Sequence, residues 1–364
     1  MKQLLRKLVP SILVVALLRF KATLGYLLLK ACSKSAFLTS FHYAFFNRRF
    51  YREHQSVLLG RLAYGDSLKG DVRTSYLLRR NIHRLEKGLI MKPRRPIFAL
   101  NYIEETIDCY ETAASNENVC LDELKWATDV LVSYFEVIES TSITAPLRFR
   151  FNKARKYEKP KEDILDNASD TENFIPYPSK DLPDLEVTTE ELSKLYMRRR
   201  STRWFESRPV PSDSLLRAIE MASTAPSACN RQPYSFKICT HPETAQKISK
   251  LAMGTSGFSD NIQSLIVVVG DLSAYPLERD RHCIYIDSSL ASMQLMLALE
   301  TMGLATCPIN WPDIEEREQA MQDTLNLPKY LRPVMLIAVG YPDLEGGIPY
   351  SQKKPKEILA EFLN

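Results

Sequence analysis

The sequence predicts an α+β fold, a sandwich with a mixed central sheet over residues 190–364, preceded by a mainly helical region over residues 1–150. Three observations lead there. Short apolar runs at 234–239, 265–270 and 333–339 read as strands, the second of them being Ile266-Val267-Val268-Val269 closed by Gly270-Asp271. Helical spacing fills the intervals without the strict strand–helix alternation of a doubly wound sheet. No Gly-x-Gly-x-x-Gly follows a predicted strand, and only 12 glycines occur in 364 residues, which argues against a Rossmann site or a glycine-loop phosphate site.

In the N-terminal half, Tyr102 to Ala114 and Leu121 to Ser140 carry apolar residues at helical spacing. Residues 151–189 turn polar and proline-bearing, and read as a linker or wrapping arm. Three regions follow: 1–150, 151–189 and 190–364. In the last, Ile286 to Gly303 repeats apolar residues at Ile286, Leu290, Met293 and Leu297; this predicts a core helix burying Leu290, Met293 and Leu297, with Gly303 as its cap.

Residues 1–40 begin with a basic stretch and a largely apolar run from Leu8 to Leu18, but Arg19 and Lys21 stand where a signal peptide needs small residues. The run is also shorter than a bilayer span. Two readings stay open: a basic amphipathic helix lying on an anionic membrane, or a helix packed on protein.

Arg198-Arg199-Arg200-Ser201-Thr202-Arg203 follows Thr188-Thr189-Glu190-Glu191-Leu192, which reads as a capped helix start, so the arginines fall at that helix's C-terminal end and the turn beyond. Four guanidiniums beside a hydroxyl suit a phosphate dianion. Ser201 and Arg203, two apart in extended chain, point to one side. About twenty residues on, Ala225-Pro226-Ser227-Ala228-Cys229-Asn230-Arg231-Gln232-Pro233-Tyr234 offers amide and hydroxyl groups to a planar heterocycle.

These two segments, in this order and spacing, resemble the signatures of the FMN-dependent nitroreductase-like family: Arg199-Arg200-Ser201-Thr202-Arg203-Trp204-Phe205 for the first and Ala225 to Tyr234 for the second, with Tyr234 where the family has Trp. Leu304 to Trp311 and the Gly340-Tyr341-Pro342 strand end resemble two further family segments, and Lys353-Lys354-Pro355 resembles a basic tail reaching back to the FMN phosphate. The resemblance implies a nitroreductase-like sandwich and a homodimer with FMN at the subunit interface. Arg199, Arg200, Ser201 and Arg203, with Lys353, would hold the phosphate and the ribityl or pyrimidine end. Pro226, Ser227, Asn230 and Gln232 would belong to the flavin site, reaching the partner's flavin. Asp287 would stand near the flavin at the start of the long helix, and Pro308, Ile309 and Asn310 would supply backbone near N5. Trp311, a departure from the family's pattern, would narrow the substrate side or form a stacking wall.

Arg79 to Leu89 forms a second conspicuous stretch. His83 and Glu86 share a helix face at i, i+3 and are the candidates for a base and its orienter; the alternative is a structural role, with Gly88 ending the helix. The stretch resembles one found in nitroreductase-like proteins with a long helical N-terminal extension from polysaccharide biosynthesis loci.

The implied activity is hydride transfer from NAD(P)H through FMN to a small organic acceptor. The alternative is a flavin-fold binding or assembly component of a membrane-associated glycan pathway with little turnover; a dehalogenating enzyme of the same superfamily is a third reading. Seven cysteines without a Cys-x-x-Cys pair and five histidines without ligand spacing imply neither disulfides nor a metal, and point to a reducing, cytoplasmic setting, peripheral at the inner membrane face if residues 1–40 touch lipid. Cys229 and Cys307 read as packing residues. A net charge of +4, without aromatics interleaved along a basic stripe, gives nucleic-acid binding no support.

Overall fold

The computed structural model describes residues 11–68, 72–155 and 173–363. The chain divides into two compact units after Gln55. The first contains α1 (Ser11–Cys32) and α2 (Ala36–Phe45). α1 carries apolar residues on all sides, where an amphipathic helix was expected; Leu17, Leu18 and Phe20 alone point to three sides of a 3.6-residue turn. The expected run from Leu8 lies partly outside the described residues.

α3 (Tyr51–Ser67) leads into the second unit, where α4 (Tyr76–Leu89), α5 (Ile103–Ser115), α6 (Leu121–Val137) and α7 (Thr144–Ala154) form a helical cluster. Its core interlocks Leu78, Ile82 and Leu85 with Ile107, Tyr110, Leu131, Tyr134 and Phe151. Gly88 does not cap α4: it lies within the last turn, where a Cβ would strike the Phe98 ring, so close packing is what requires glycine there.

The remainder of this unit comprises α8 (Thr189–Arg198), α9 (Ser212–Ser223), β1 (Tyr234–Cys239), α10 (Pro242–Ser249), β2 (Ser264–Asp271), α11 (Cys283–Thr301), β3 (Ala305–Asn310), α12 (Glu315–Leu325), β4 (Leu331–Gly340) and α13 (Lys356–Leu359). The sheet order is β1-β2-β4-β3, with antiparallel neighbours. The parallel component expected of a mixed sheet is confined to the isolated bridge Ser201↔Thr306 outside β3.

Helices cover both faces. Val267, Val269, Leu336 and Ala338 pack with Ile248, Phe258, Trp311 and Met321 on one side. Ile266, Val268, Ile337 and Val339 meet Leu215, Ala218, Leu295 and Leu299 on the other. β2 is therefore buried on both faces, which accounts for its continuous apolar run. The sequence reading contained no strand at 305–310. Pro308 obscures it, and is accommodated because β3 is the last named strand of the sheet.

α11 closes as expected, with Gly303 at φ 75° and the Leu304 amide donating to the Leu299 carbonyl at 3.0 Å. Its faces are not as expected. Leu290 and Met293 are exposed at 43% and 38%, and Leu297 is half-buried; Asp287, Ser288, Ala291, Ser292 and Leu295 face the core instead. Small residues let α11 lie close against the sheet and α9, and that turns the Ile286-Leu290-Met293 line outward.

Candidate functional site

The arginine run is delivered by a well-stopped helix. The Thr188 hydroxyl accepts from the Glu191 amide at 3.2 Å while Glu191 Oε2 accepts from the Thr188 amide at 2.8 Å, a reciprocal cap at the start of α8. Arg198 ends the helix, where cations complement the dipole, and Arg199 is already extended. The chain then runs along the outside of β3: the Thr202 amide donates to the Thr306 carbonyl at 3.0 Å, and Phe205 bridges Pro342. Thr202 and Phe205 are buried, whereas Ser201 and Arg203 are half-buried.

The guanidiniums have separate commitments. Arg198 Nε pairs with Glu300 of α11 at 2.9 Å. Arg200 donates to the carbonyls of Pro349 and Tyr350, fastening the tail three residues before Lys353. Arg203 donates to the Ser201 carbonyl at 3.2 Å. Arg199 Nε is buried without a hydrogen-bond partner, a donor available to a ligand. Behind them, burial pushes the Cys307 thiol up while the charges of Arg203 and Arg199 oppose the shift. Cys307 itself is a β3 residue turned into the core.

The 226–233 loop is anchored from inside. Asp287 of α11, buried, accepts through Oδ2 from the Ser227 hydroxyl at 2.7 Å and the Ala228 amide at 2.9 Å, and Ser227 Oγ in turn accepts from the Gln232 amide at 2.8 Å. Cys229, Asn230 and Gln232 all hold positive φ, 54°, 51° and 51°, which non-glycine residues adopt only when their surroundings impose it. The imposing group includes Arg79 on α4. It donates from Nε to the Asn230 carbonyl at 2.9 Å and from Nη2 to Gln232 Oε1 at 3.0 Å, while Nη1 pairs with Glu123 at 3.1 Å.

Next to this clamp His83 Nδ1 lies 3.1 Å from Glu86 Oε2, and Glu86 Oε1 accepts from Trp126 Nε1 at 2.9 Å. The Arg79 guanidinium lies over the same indole at 5.4 Å. Within this stretch the sequence points to His83 and Glu86; the roles of Arg79, Glu123 and Trp126 are not legible in it, because their partners lie 40 to 151 positions away along the chain.

Pro308 and Ile309 lie within β3, Ile309 facing the core, and Asn310 is exposed at the strand's end. Trp311 forms no wall toward solvent. It is buried, with Nε1 donating to Glu318 Oε1 at 2.8 Å, because Glu318 and Arg332 form an ion pair inside the core that needs a further donor. The candidate residues thus fall into two groups. One lies outside β3, the other on the loop entering β1, beyond opposite edges of the four-stranded sheet and so about 19 Å apart from strand spacing alone.

The first group offers cationic donors with a buried, unsatisfied N–H, suited to an anionic oxygen cluster. The second offers a rigid loop bearing amide and hydroxyl groups. Among the described residues no group of three or more His, Cys, Asp or Glu side chains is placed to hold a metal ion.

Residues 196–256 and 254–341 match the family model described as Nitroreductase family. A protein of Archaeoglobus fulgidus that carries the name NADH dehydrogenase/NAD(P)H nitroreductase is 29% identical over 155 residues, 42% of this chain and 86% of that protein. YdgI of Bacillus subtilis, named as an NAD(P)H nitroreductase, is 28% identical over 214 residues, 48% of this chain and 99% of its own. Iodotyrosine deiodinase 1 of Homo sapiens is 24% identical over 227 residues, 54% of this chain and 78% of the deiodinase.

Proposed function

From a C-terminal half that carries the nitroreductase-family match, we propose that this chain is an FMN-dependent oxidoreductase taking hydride from NAD(P)H and passing it to a small organic acceptor. The observation that supports it most is Arg199, whose buried Nε is without a partner in an arginine run whose other members are engaged. Bound FMN supplies the hydride chemistry; the protein's part is to hold, orient and enclose it.

In this reading Arg199, Ser201 and Arg203 hold the phosphate. Arg200 acts by tethering the tail, which sets Lys353 to add a cation. Pro226, Ser227, Asn230 and Gln232 contact the flavin ring from a loop that Asp287 and Arg79 keep rigid, so Asp287 positions rather than touches. Pro308, Ile309 and Asn310 line the ring's other edge from β3. Glu86, held by both His83 and Trp126, braces the Arg79 clamp.

A homodimer completes the site. Two features favour it: the two residue groups occupy opposite sheet edges, and α11 presents the exposed apolar line Ile286, Leu290 and Met293. A helix apolar on its outer as well as its inner face is covered in the working assembly.

The test is a visible absorbance spectrum of the purified protein before and after anaerobic NADH and NADPH. Oxidised flavin bands that bleach with reductant support the oxidoreductase. A colourless protein that takes up no added FMN overturns the assignment of Arg199 to Arg203. Flavin that binds but never bleaches replaces it with a binding component.

A further inference from the structure

The first unit has an unusual charge and surface. Residues 1–52 contain ten lysines and arginines and no aspartate or glutamate; the first acidic residue is Glu53, and since the whole chain is only +4, the remainder is net negative. Every residue from 15 to 31 is exposed. Large apolar side chains make up most of that surface, with Leu17 70%, Phe20 68% and Tyr26 66% exposed on α1, and Phe37 75%, Phe45 67% and Phe46 68% on and just after α2.

We propose that α1 and α2 together form a seat for an anionic phospholipid bilayer, lying in its interface. The apolar surface accounts for insertion: aromatic rings settle at the headgroup level and leucines below it. The cations account for lipid choice, since each Lys or Arg near an anionic surface strengthens binding. Arg19 and Lys30, eleven residues apart, lie on one line of α1, and their long stems reach back to the headgroups from an otherwise apolar helix.

Other occupants fit less well. A second copy would bring two acid-free cationic segments together. A polyphosphate strand would leave the leucines and phenylalanines facing water. Among the described residues no helix is long and apolar enough to cross a membrane, so the seat is interfacial.

The test uses the full-length protein. Flotation is measured with vesicles of phosphatidylcholine alone and with vesicles containing phosphatidylglycerol at about one part in three. The expected result is flotation with the anionic vesicles and a partition coefficient at least about ten-fold lower for neutral ones, with the same loss for the triple variant Arg19→Gln, Lys21→Gln, Lys30→Gln. In parallel, Phe45→Trp is compared with the parent protein; its added emission shifts to the blue with anionic vesicles. Failure to float with anionic vesicles, or equal flotation with both, overturns the proposal. So does added emission from the Phe45→Trp variant that is already blue in buffer and unmoved by lipid, which would show the face covered by another protein chain. Flavin content is measured on every sample and stays constant, so this outcome is separable from that of the spectrum above.

Discussion

Arg79 and Asn230, 151 positions apart, are joined by a hydrogen bond of 2.9 Å from guanidinium Nε to backbone carbonyl, and the same guanidinium reaches Gln232 and Glu123. A helix far from the nitroreductase-matched residues thereby holds the loop that bears Ser227, Asn230 and Gln232. Replacing Arg79 by Ala leaves Glu123, almost wholly buried, without its cation and releases three strained backbone positions. The expected cost is on the order of 3 kcal/mol in unfolding free energy. FMN affinity, read by fluorescence titration, falls with it. Arg79→Lys keeps the charge near Glu123 but not the fork, and recovers stability better than flavin affinity. Equal affinities for the parent and Arg79→Ala would refute the clamp.

Arg199 should separate binding from folding. Its Nε has no protein partner, so Arg199→Ala leaves the thermal midpoint nearly unchanged. The loss of a charge-assisted contact to phosphate weakens FMN by roughly 10- to 100-fold. Riboflavin, which lacks the phosphate, binds parent and variant alike, and the ratio of the two affinities is the quantity to measure.

Leu290→Arg places a charge in the exposed line of α11. The expected outcome is a monomer by light scattering, with a native circular dichroism spectrum and little retained flavin. A dimer that persists would remove α11 from the subunit interface.

Glu318 carries stability and no ligand chemistry. Its carboxylate receives Trp311 and Arg332, and both members of the ion pair are nearly inaccessible. Glu318→Ala removes the buried carboxylate partner of Arg332, leaving it the half-exposed Asp313 at 3.0 Å, and costs about 3 kcal/mol. In a unit this size the melting temperature falls by roughly 10 °C, as differential scanning calorimetry would show. Replacing both Glu318 and Arg332 with apolar residues costs less than Glu318→Ala alone.

Cys109 gives a pH signature. Burial, helped by the carboxylates of Glu105 and Asp108, pushes its thiol up to about 12. The folded state keeps the proton that an unfolded thiol releases near pH 8.5, so the stabilisation is complete below that pH and is lost as pH rises toward 12. Urea midpoints compared between pH 8.5 and 9.5, before unfolded tyrosines ionise, should fall, and Cys109 contributes at most about 1.4 kcal/mol per unit of that slope beside other thiols that burial raises, Cys307 among them. Cys109→Ala should flatten that part of the curve.

Much of the fold was legible because its signals are local. The strands at 234–239, 265–270 and 333–339 are short apolar runs, and two of them occupy the sheet's centre. The start of α8 announces itself through Thr188 and Glu191, three apart, and Gly303 ends α11 because only a residue free to adopt positive φ fits there. The arginine run and the 225–234 segment were likewise readable as contiguous residues of telling chemistry.

By itself, then, the sequence determined three of the four strands, the start of α8, the end of α11 and which short segments carry the family's signatures, since each depends on neighbours a few positions apart. Tertiary structure alone decided that residues 305–310 extend the sheet, that Trp311 turns inward to Glu318, and that Asp287 is committed to Ser227 and Ala228. It alone decided that Leu290 and Met293 face outward and that Arg79 reaches Asn230. In each of these cases the deciding contact joins residues distant in the chain, and periodicity reports only that a helix has an apolar face, not which surface that face will meet.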